Sequence, residues 1–183
     1  MRPPVVDPFD MRILRELQQD GRLTNAELSE RIGLSPSPCL RRTRRLEEEG
    51  LIAGYQARLD ASRLGLGVLA FIHVHLERQV EAAARDFEAA VLALPQVIAC
   101  TSVTGDSDYM LHVVCEDLEG FAHFAHGILM GLPGVRGVRS SLALKRVKES
   151  GRLPLNHLRA MPVAPDSTAE KPGNDPSRVK SRP

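Results

Sequence analysis

Apolar residues recur every three to four positions over the first fifty residues and at every second position soon after, and this change of period divides the chain. Ile13, Leu14 and Leu17 share one face of a first helix that ends at Gly21. Leu28 and Ile32 stripe a second, which opens on Thr24-Asn25-Ala26-Glu27. In that pattern the threonine hydroxyl caps the first turn and the glutamate reaches back to the threonine amide. Gly33 breaks this helix, and a third begins at Ser35, a good N-cap, with Pro36 at the first helical position and Gly50 as a stop. Cys39, Leu40, Thr43 and Leu46 gather on its apolar face, and the following LIAGYQARLD reads as a strand or wing.

The second half alternates. In GVLAFIHVHLE, Ala70, Ile72, Val74 and Leu76 lie opposite Phe71, His73 and His75, as in a half-covered strand. An amphipathic helix follows from Glu81 to Ala93, with Ala83, Phe87, Ala90, Val91 and Leu94 on its apolar side. Two β-like runs, VIACTSVT and DYMLHVVCE, flank Gly105-Asp106. A second helix starts near Asp117 and aligns Leu118, Phe121, Phe124, Ala125, Ile128 and Leu129, and a last strand spans Val135 to about Val147. Leu94-Pro95-Gln96-Val97 returns as Leu132-Pro133-Gly134-Val135, a weak repeat at an offset of 38 residues. The order βαββαβ is a duplicated split βαβ, the ferredoxin-like topology, with helices on one sheet face. Something must cover the other face, so self-association is expected.

The fold class expected is therefore α+β: a winged helix-turn-helix at residues 1–60, then a ferredoxin-like βαββαβ domain at 61–150. From 151 to 183 the chain reads as a tail, disordered from about Met161, because its proline, serine and charge cannot offset the entropy of ordering.

Charge sharpens the picture at one place. The 183-residue chain has a formal net charge of +1, and residues 1–60 balance ten basic against ten acidic groups. Yet the third helix holds Arg41, Arg42, Arg44 and Arg45 with no acid before Glu47. Arg41 and Arg45 point away from the apolar face, in line with Ser37 and Pro38, while Arg42 and Arg44 flank them. A helix with one buried side and guanidinium groups on the other suits phosphates and guanine edges in a DNA major groove. An arginine-rich helix alone is more often a solvated face; the capped helix and tight glycine turn before it make the pair a helix-turn-helix signature.

Other chemistry is sparse. Cys39, Cys100 and Cys115 lie far apart without metal-binding spacing, and their odd number with no secretory leader points to reduced thiols in a cytoplasmic protein. No apolar run is long enough for a membrane span. His73, His75 and His112, with His123 and His126 on the polar side of the second helix, lack a completing ligand set for a metal, and the three on strands fit a dimer interface better. Asp106 and Asp108 lack a nucleophile or buried base beside them, so no catalytic residue, metal or cofactor is expected.

The stretches DMRILRELQQDGRLTNAELSERIGLSPSPCLRRTRRLEEEGLIAGY, VTGDSDYMLHVV and LPGVRGVRSSLALKRVK resemble the Lrp/AsnC (feast/famine) transcriptional regulators over essentially residues 8–150. The resemblance implies a DNA-binding regulator, nucleoid-associated in the cytoplasm, with double-stranded DNA and a small effector, usually an amino acid, as partners. It implies homodimers that assemble to tetramers or octamers, and a strand linking the two domains. Carried over by position, the DNA reader is Ser35, Ser37, Pro38, Arg41, Arg42, Arg44 and Arg45. The effector site maps to Gly105, Asp106, Ser107, Asp108 and Tyr109, completed by Ser140 on the last strand. Ser107 stands where an aromatic residue is common and Val138 where threonine is usual, which leaves the ligand open. By residue type alone GDSD is also an ordinary hairpin turn. Two other classes share the architecture: a chromosome-organising protein of low sequence preference, and siroheme decarboxylases. The latter carry a histidine- and arginine-rich strand where this chain has IACTSVTGDSDY.

Overall fold

The computed structural model describes residues 6–77, 81–148 and 151–158. They form two compact units: residues up to Gln56 together with 151–158, and those from Ala57 to 148. Residues 159–183, and with them the disorder expected from Met161, lie outside the described residues.

Three helices make the first unit: α1 (Pro8–Gln19), α2 (Asn25–Ile32) and α3 (Pro36–Glu48). Both α1 and α2 begin with reciprocal capping. Thr24 Oγ1 accepts the Glu27 amide at 3.3 Å while Glu27 Oε2 accepts the Thr24 amide at 2.8 Å. Asp7 and Asp10 do the same for α1, which the sequence reading did not anticipate. Gly33, at φ +74°, ends α2 in the left-handed conformation that glycine adopts without a Cβ penalty. Val6, Met11, Ile13, Leu14, Leu28, Ile32, Cys39 and Leu46 form the core. Residues 51–59 form no strand in this chain, so the expected wing and linking strand have no ladder here.

The residues after 150 differ from a free tail. Leu155 and Leu158 pack against the core of the first unit, and the Leu153 amide donates to Gln18 Oε1 at 2.6 Å. These leucines restore a short apolar pattern that the composition of the whole tail dilutes.

The second unit is the expected βαββαβ: β1 (Val68–Leu76), α4 (Glu81–Leu92), β2 (Val97–Ser102), β3 (Tyr109–Cys115), α5 (Leu118–Ala122) and β4 (Val135–Leu142). Its strands pair antiparallel in the order β2-β3-β1-β4. Ala70, Ile72, Val74 and Leu76 of β1, with Tyr109, Leu111, Val113 and Cys115 of β3, meet Phe87, Val91, Phe124 and Leu129 beneath the helices. The side chain of Ala83 lies outside the described residues. Both repeat copies make one turn bond, Val97 amide to Leu94 carbonyl at 3.1 Å and Val135 amide to Leu132 carbonyl at 3.3 Å, and each starts a strand.

Three expectations are corrected. The helix after Asp117 is not uniform: α5 widens to a π-type stretch over His123–Ile128 and tightens at Leu129–Gly131. The widened turn lets Phe124 and Leu129, five apart, both reach the sheet. Leu118 consequently lies in the first turn, outside the core, and is 61% exposed. The last strand ends at Leu142 instead of Val147, because β1 offers pairing only as far as Leu69, which accepts the Ala143 amide.

Candidate functional site

The arginine helix comes first. Its inward stripe is Cys39, Arg42, Thr43 and Leu46, an i, i+3, i+4, i+7 set in which Cys39 and Leu46 are buried, Thr43 is half-buried and the half-buried Arg42 takes an apolar slot. Leu40, expected on that face, is 39% exposed. What turns Arg42 inward is a pair of acids on α1. Its guanidinium bonds to Asp7 and, at 3.0 Å, to Asp10 Oδ1, while Arg45 Nη2 donates to Asp10 Oδ2 at 2.5 Å. Asp10 is 1% exposed, so this carboxylate is held almost entirely by protein donors. Arg42 and Arg12 also lie over the Phe9 ring, at 5.6 and 5.5 Å from the ring centre. Burial pushes the Asp7 carboxyl up, but the Asp10 amide and the Arg42 guanidinium outweigh it and hold Asp7 below its ordinary value.

Arg45, expected to point outward, is thus half-buried and turned toward α1, and Arg42 is further in. Arg41 and Arg44 remain exposed, three residues apart and therefore on one side of α3. Among the described residues neither makes an ion pair. With Asp7, Arg42, Arg45 and Glu48 they line an open groove of about 470 Å³.

At the start of α3, Ser35 has N-cap dihedrals but its side chain takes no cap hydrogen bond. The reason is in the sequence: the third helical position is Pro38, which has no N–H to give. The Cys39 amide is used by the Ser35 carbonyl, and between the prolines at 36 and 38 Ser37 alone keeps a first-turn N–H. The hydroxyls of Ser35 and Ser37 are exposed beside it, and Pro38 is half-buried.

The second candidate lies at the β2–β3 hairpin. Gly105, at φ +116°, turns the loop, and Asp106 is exposed at its tip. Asp108 is structural: its amide donates to the Val74 carbonyl at 3.0 Å and its Oδ2 accepts the Leu76 amide at 2.8 Å, locking the hairpin to β1. Tyr109 is buried under the helices, its hydroxyl donating to Glu88 Oε1 at 2.7 Å. Ser107 turns to the opposite, helix-free face, where its Oγ is 3.1 Å from His73 Nδ1. Ser140 pairs with Ile72 and shares the helix-covered face, so a single chain does not bring it together with Ser107. The β4 residue on the Ser107 side is Arg139, which lies opposite His73 in the ladder. His73 and Arg139 were not assigned to this site from sequence; the signal was the strand alternation, which places His73 out of phase with the core.

Around this cluster the helix-free face carries Leu69, Phe71, His75, Met110 and His112, all half-buried, with Phe71 and His112 edge to face at 4.8 Å. Among the described residues no three His, Cys, Asp or Glu side chains gather to hold a metal, and no helix is long and apolar enough to cross a membrane.

Residues 6–53 match the family model for winged helix-turn-helix DNA-binding, and residues 69–153 that for the Lrp/AsnC ligand binding domain. A Bkd operon transcriptional regulator of Pseudomonas aeruginosa is 45% identical over 150 residues, covering 82% of this chain and 98% of that protein. A leucine-responsive regulatory protein of Rhizobium meliloti is 46% identical, over 79% of this chain and 93% of its own length. Among solved structures, a transcriptional regulator of Neisseria meningitidis in complex with L-Met is 44% identical, with a TM-score of 0.81 over 84% of this chain and 99% of that one. An AsnC family transcriptional regulator of Agrobacterium tumefaciens is 31% identical, with a TM-score of 0.79 over 84% of this chain and all 100% of its own.

Proposed function

This chain belongs to the Lrp/AsnC family of transcriptional regulators, and on that footing we propose that α3 is its DNA reader and the β2–β3 hairpin the start of its effector site. It is an effector-responsive DNA-binding regulator. The observation that carries the α3 reading is the division of its arginines. Arg41 and Arg44 project together from an outward face, and Arg42 and Arg45 anchor that face to α1. Guanidinium forks three residues apart suit guanine edges and phosphates in the major groove, with Ser35, Ser37 and its N–H directed at the backbone.

The effector is an amino acid, in keeping with the L-Met bound by the Neisseria regulator. An amino acid needs an acceptor for its ammonium group and donors for its carboxylate. Asp106 supplies the first, and Ser107, His73 and Arg139 supply the second on one sheet face. Gly105 lets the ligand approach the backbone. The same half-apolar face is where a second copy packs, giving a homodimer that builds to tetramers or octamers. Two α3 helices then meet successive major grooves about one helical turn apart. Its place of work is the nucleoid, in the cytoplasm.

Gel retardation of the DNA upstream of the chain's own gene tests the reader. Arg41→Ala or Arg44→Ala should each cost roughly 1–3 kcal/mol of specific binding where it reads a base. Unchanged binding by both variants at fixed salt would show that another face of α3 meets DNA.

A further inference from the structure

We propose that Asp7 and Asp10 set the specificity of DNA reading by withholding Arg42 and Arg45 from phosphate. The inference rests on α3 being the DNA-contacting helix and adds a role for residues on α1, which itself need touch no base.

Four guanidinium groups fall within five residues, and a helix presenting all four would bind any duplex. Phosphate attraction is the same for every sequence, so each extra cation raises specific and non-specific affinity together and reads nothing. In this chain two of the four are already neutralised. Asp10 takes one donor from Arg42 and one from Arg45 on its two oxygens, and Asp7 takes a second contact from Arg42. Glu49 stands 3.8 Å from Arg45 Nε, a third acid around the same pair. The carboxylates are fixed independently of the arginines, because Asp7 and Asp10 cap the amides at the start of α1. They therefore present negative charge to α3 at the positions a phosphate would occupy, and a phosphate must displace a buried, preorganised competitor. Arg45 is the informative member. Its side chain is 43% exposed, so it lies within reach of DNA and is held back by Asp10. Burial of Asp10 beneath it keeps that competitor dry and strong.

The test compares the full chain with Asp10→Asn on a random-sequence duplex and on its own upstream DNA, over a series of salt concentrations. Released from the carboxylate, Arg45 and Arg42 should turn to phosphate. The salt slope on random duplex should steepen by about one to two units, at roughly 0.9 per phosphate gained. Random-duplex affinity should rise about tenfold near 0.1 M salt, and the specific to non-specific ratio should fall. A merely structural Asp10 would instead weaken both duplexes together with the slope unchanged, and that result overturns the proposal.

Arg45→Gln keeps a donor toward Asp10 without the charge, so it decides the matter even where a melting curve shows Asp10→Asn unfolded. The proposal expects its salt slope to equal the parent's, since Arg45 contacts no phosphate in the parent. A slope shallower by about 0.9 would show that Arg45 already binds DNA. A parent chain with no salt-dependent duplex binding would refute the DNA reading beneath this one. A parent that binds, with both variants behaving as structural lesions, would refute this inference alone.

Discussion

The Tyr109 hydroxyl donates to Glu88 Oε1 at 2.7 Å, and with the ring buried the phenol is shielded from water. Burial, reinforced by the Glu88 carboxylate, pushes its pKa up to about 12. The ordinary value is near 10, so the folded protein holds this proton more tightly than the unfolded chain does. The stability it contributes is complete below about pH 10 and is lost as pH rises through 12. Tyr109→Phe should cost about 1 kcal/mol at neutral pH, the usual worth of one hydrogen bond. It should also flatten the fall in stability between pH 10 and 12, as read by urea denaturation. Parent and variant losing stability in parallel over that window would place the titration elsewhere. The burial of Tyr109 was legible, since it is in phase with Leu111 and Val113 along β3. Arg42 was not legible in the same way. A charged residue in an apolar slot makes sense only beside Asp7 and Asp10, which lie more than thirty residues earlier and are brought near by the tertiary fold.

At the scale of elements, period and punctuation placed most of the architecture. Alternation located β1 and β3, the Thr24–Glu27 box started α2, and the twin Leu-Pro turns started β2 and β4. Strand ends, the faces of edge-strand residues and the widening after α5 were less accessible, because each depends on pairing register and on what the sheet demands. Ser140 is the clearest case: its residue type suits a polar ligand, but its partner Ile72 fixes it to the helix-covered face. The return of 151–158 to the first unit was hidden for a related reason, since three leucines within a polar tail carry no period of their own. Leu155 and Leu158 are half-buried, and replacing both by Ala should destabilise the helix-turn-helix by about 1–2 kcal/mol. Hydrogen exchange in α1 should quicken about tenfold as a result. Unchanged exchange in α1 would mean that this segment rests on the unit without supporting it.

Across the whole molecule, the chain leaves the helical unit after Gln56, builds the sheet unit, and contributes to the helical unit again from residue 151. The reader and the sensor are therefore separate folds joined by the chain at both ends of the sheet unit. A ligand can shift such a protein between states only by its difference in affinity for them. Changes in the hairpin should thus alter sensing while leaving the arginine helix intact. The most direct test is DNA retardation on the upstream region, titrated with single amino acids, methionine and leucine among them, for the parent and Asp106→Ala. The parent's DNA binding should shift with at least one amino acid. Asp106→Ala should need about ten- to a hundredfold more of it, the cost of one charge-assisted hydrogen bond, with DNA affinity in its absence nearly unchanged. DNA binding indifferent to every amino acid, or a variant responding at the parent's concentration, would contradict a sensing role for the hairpin.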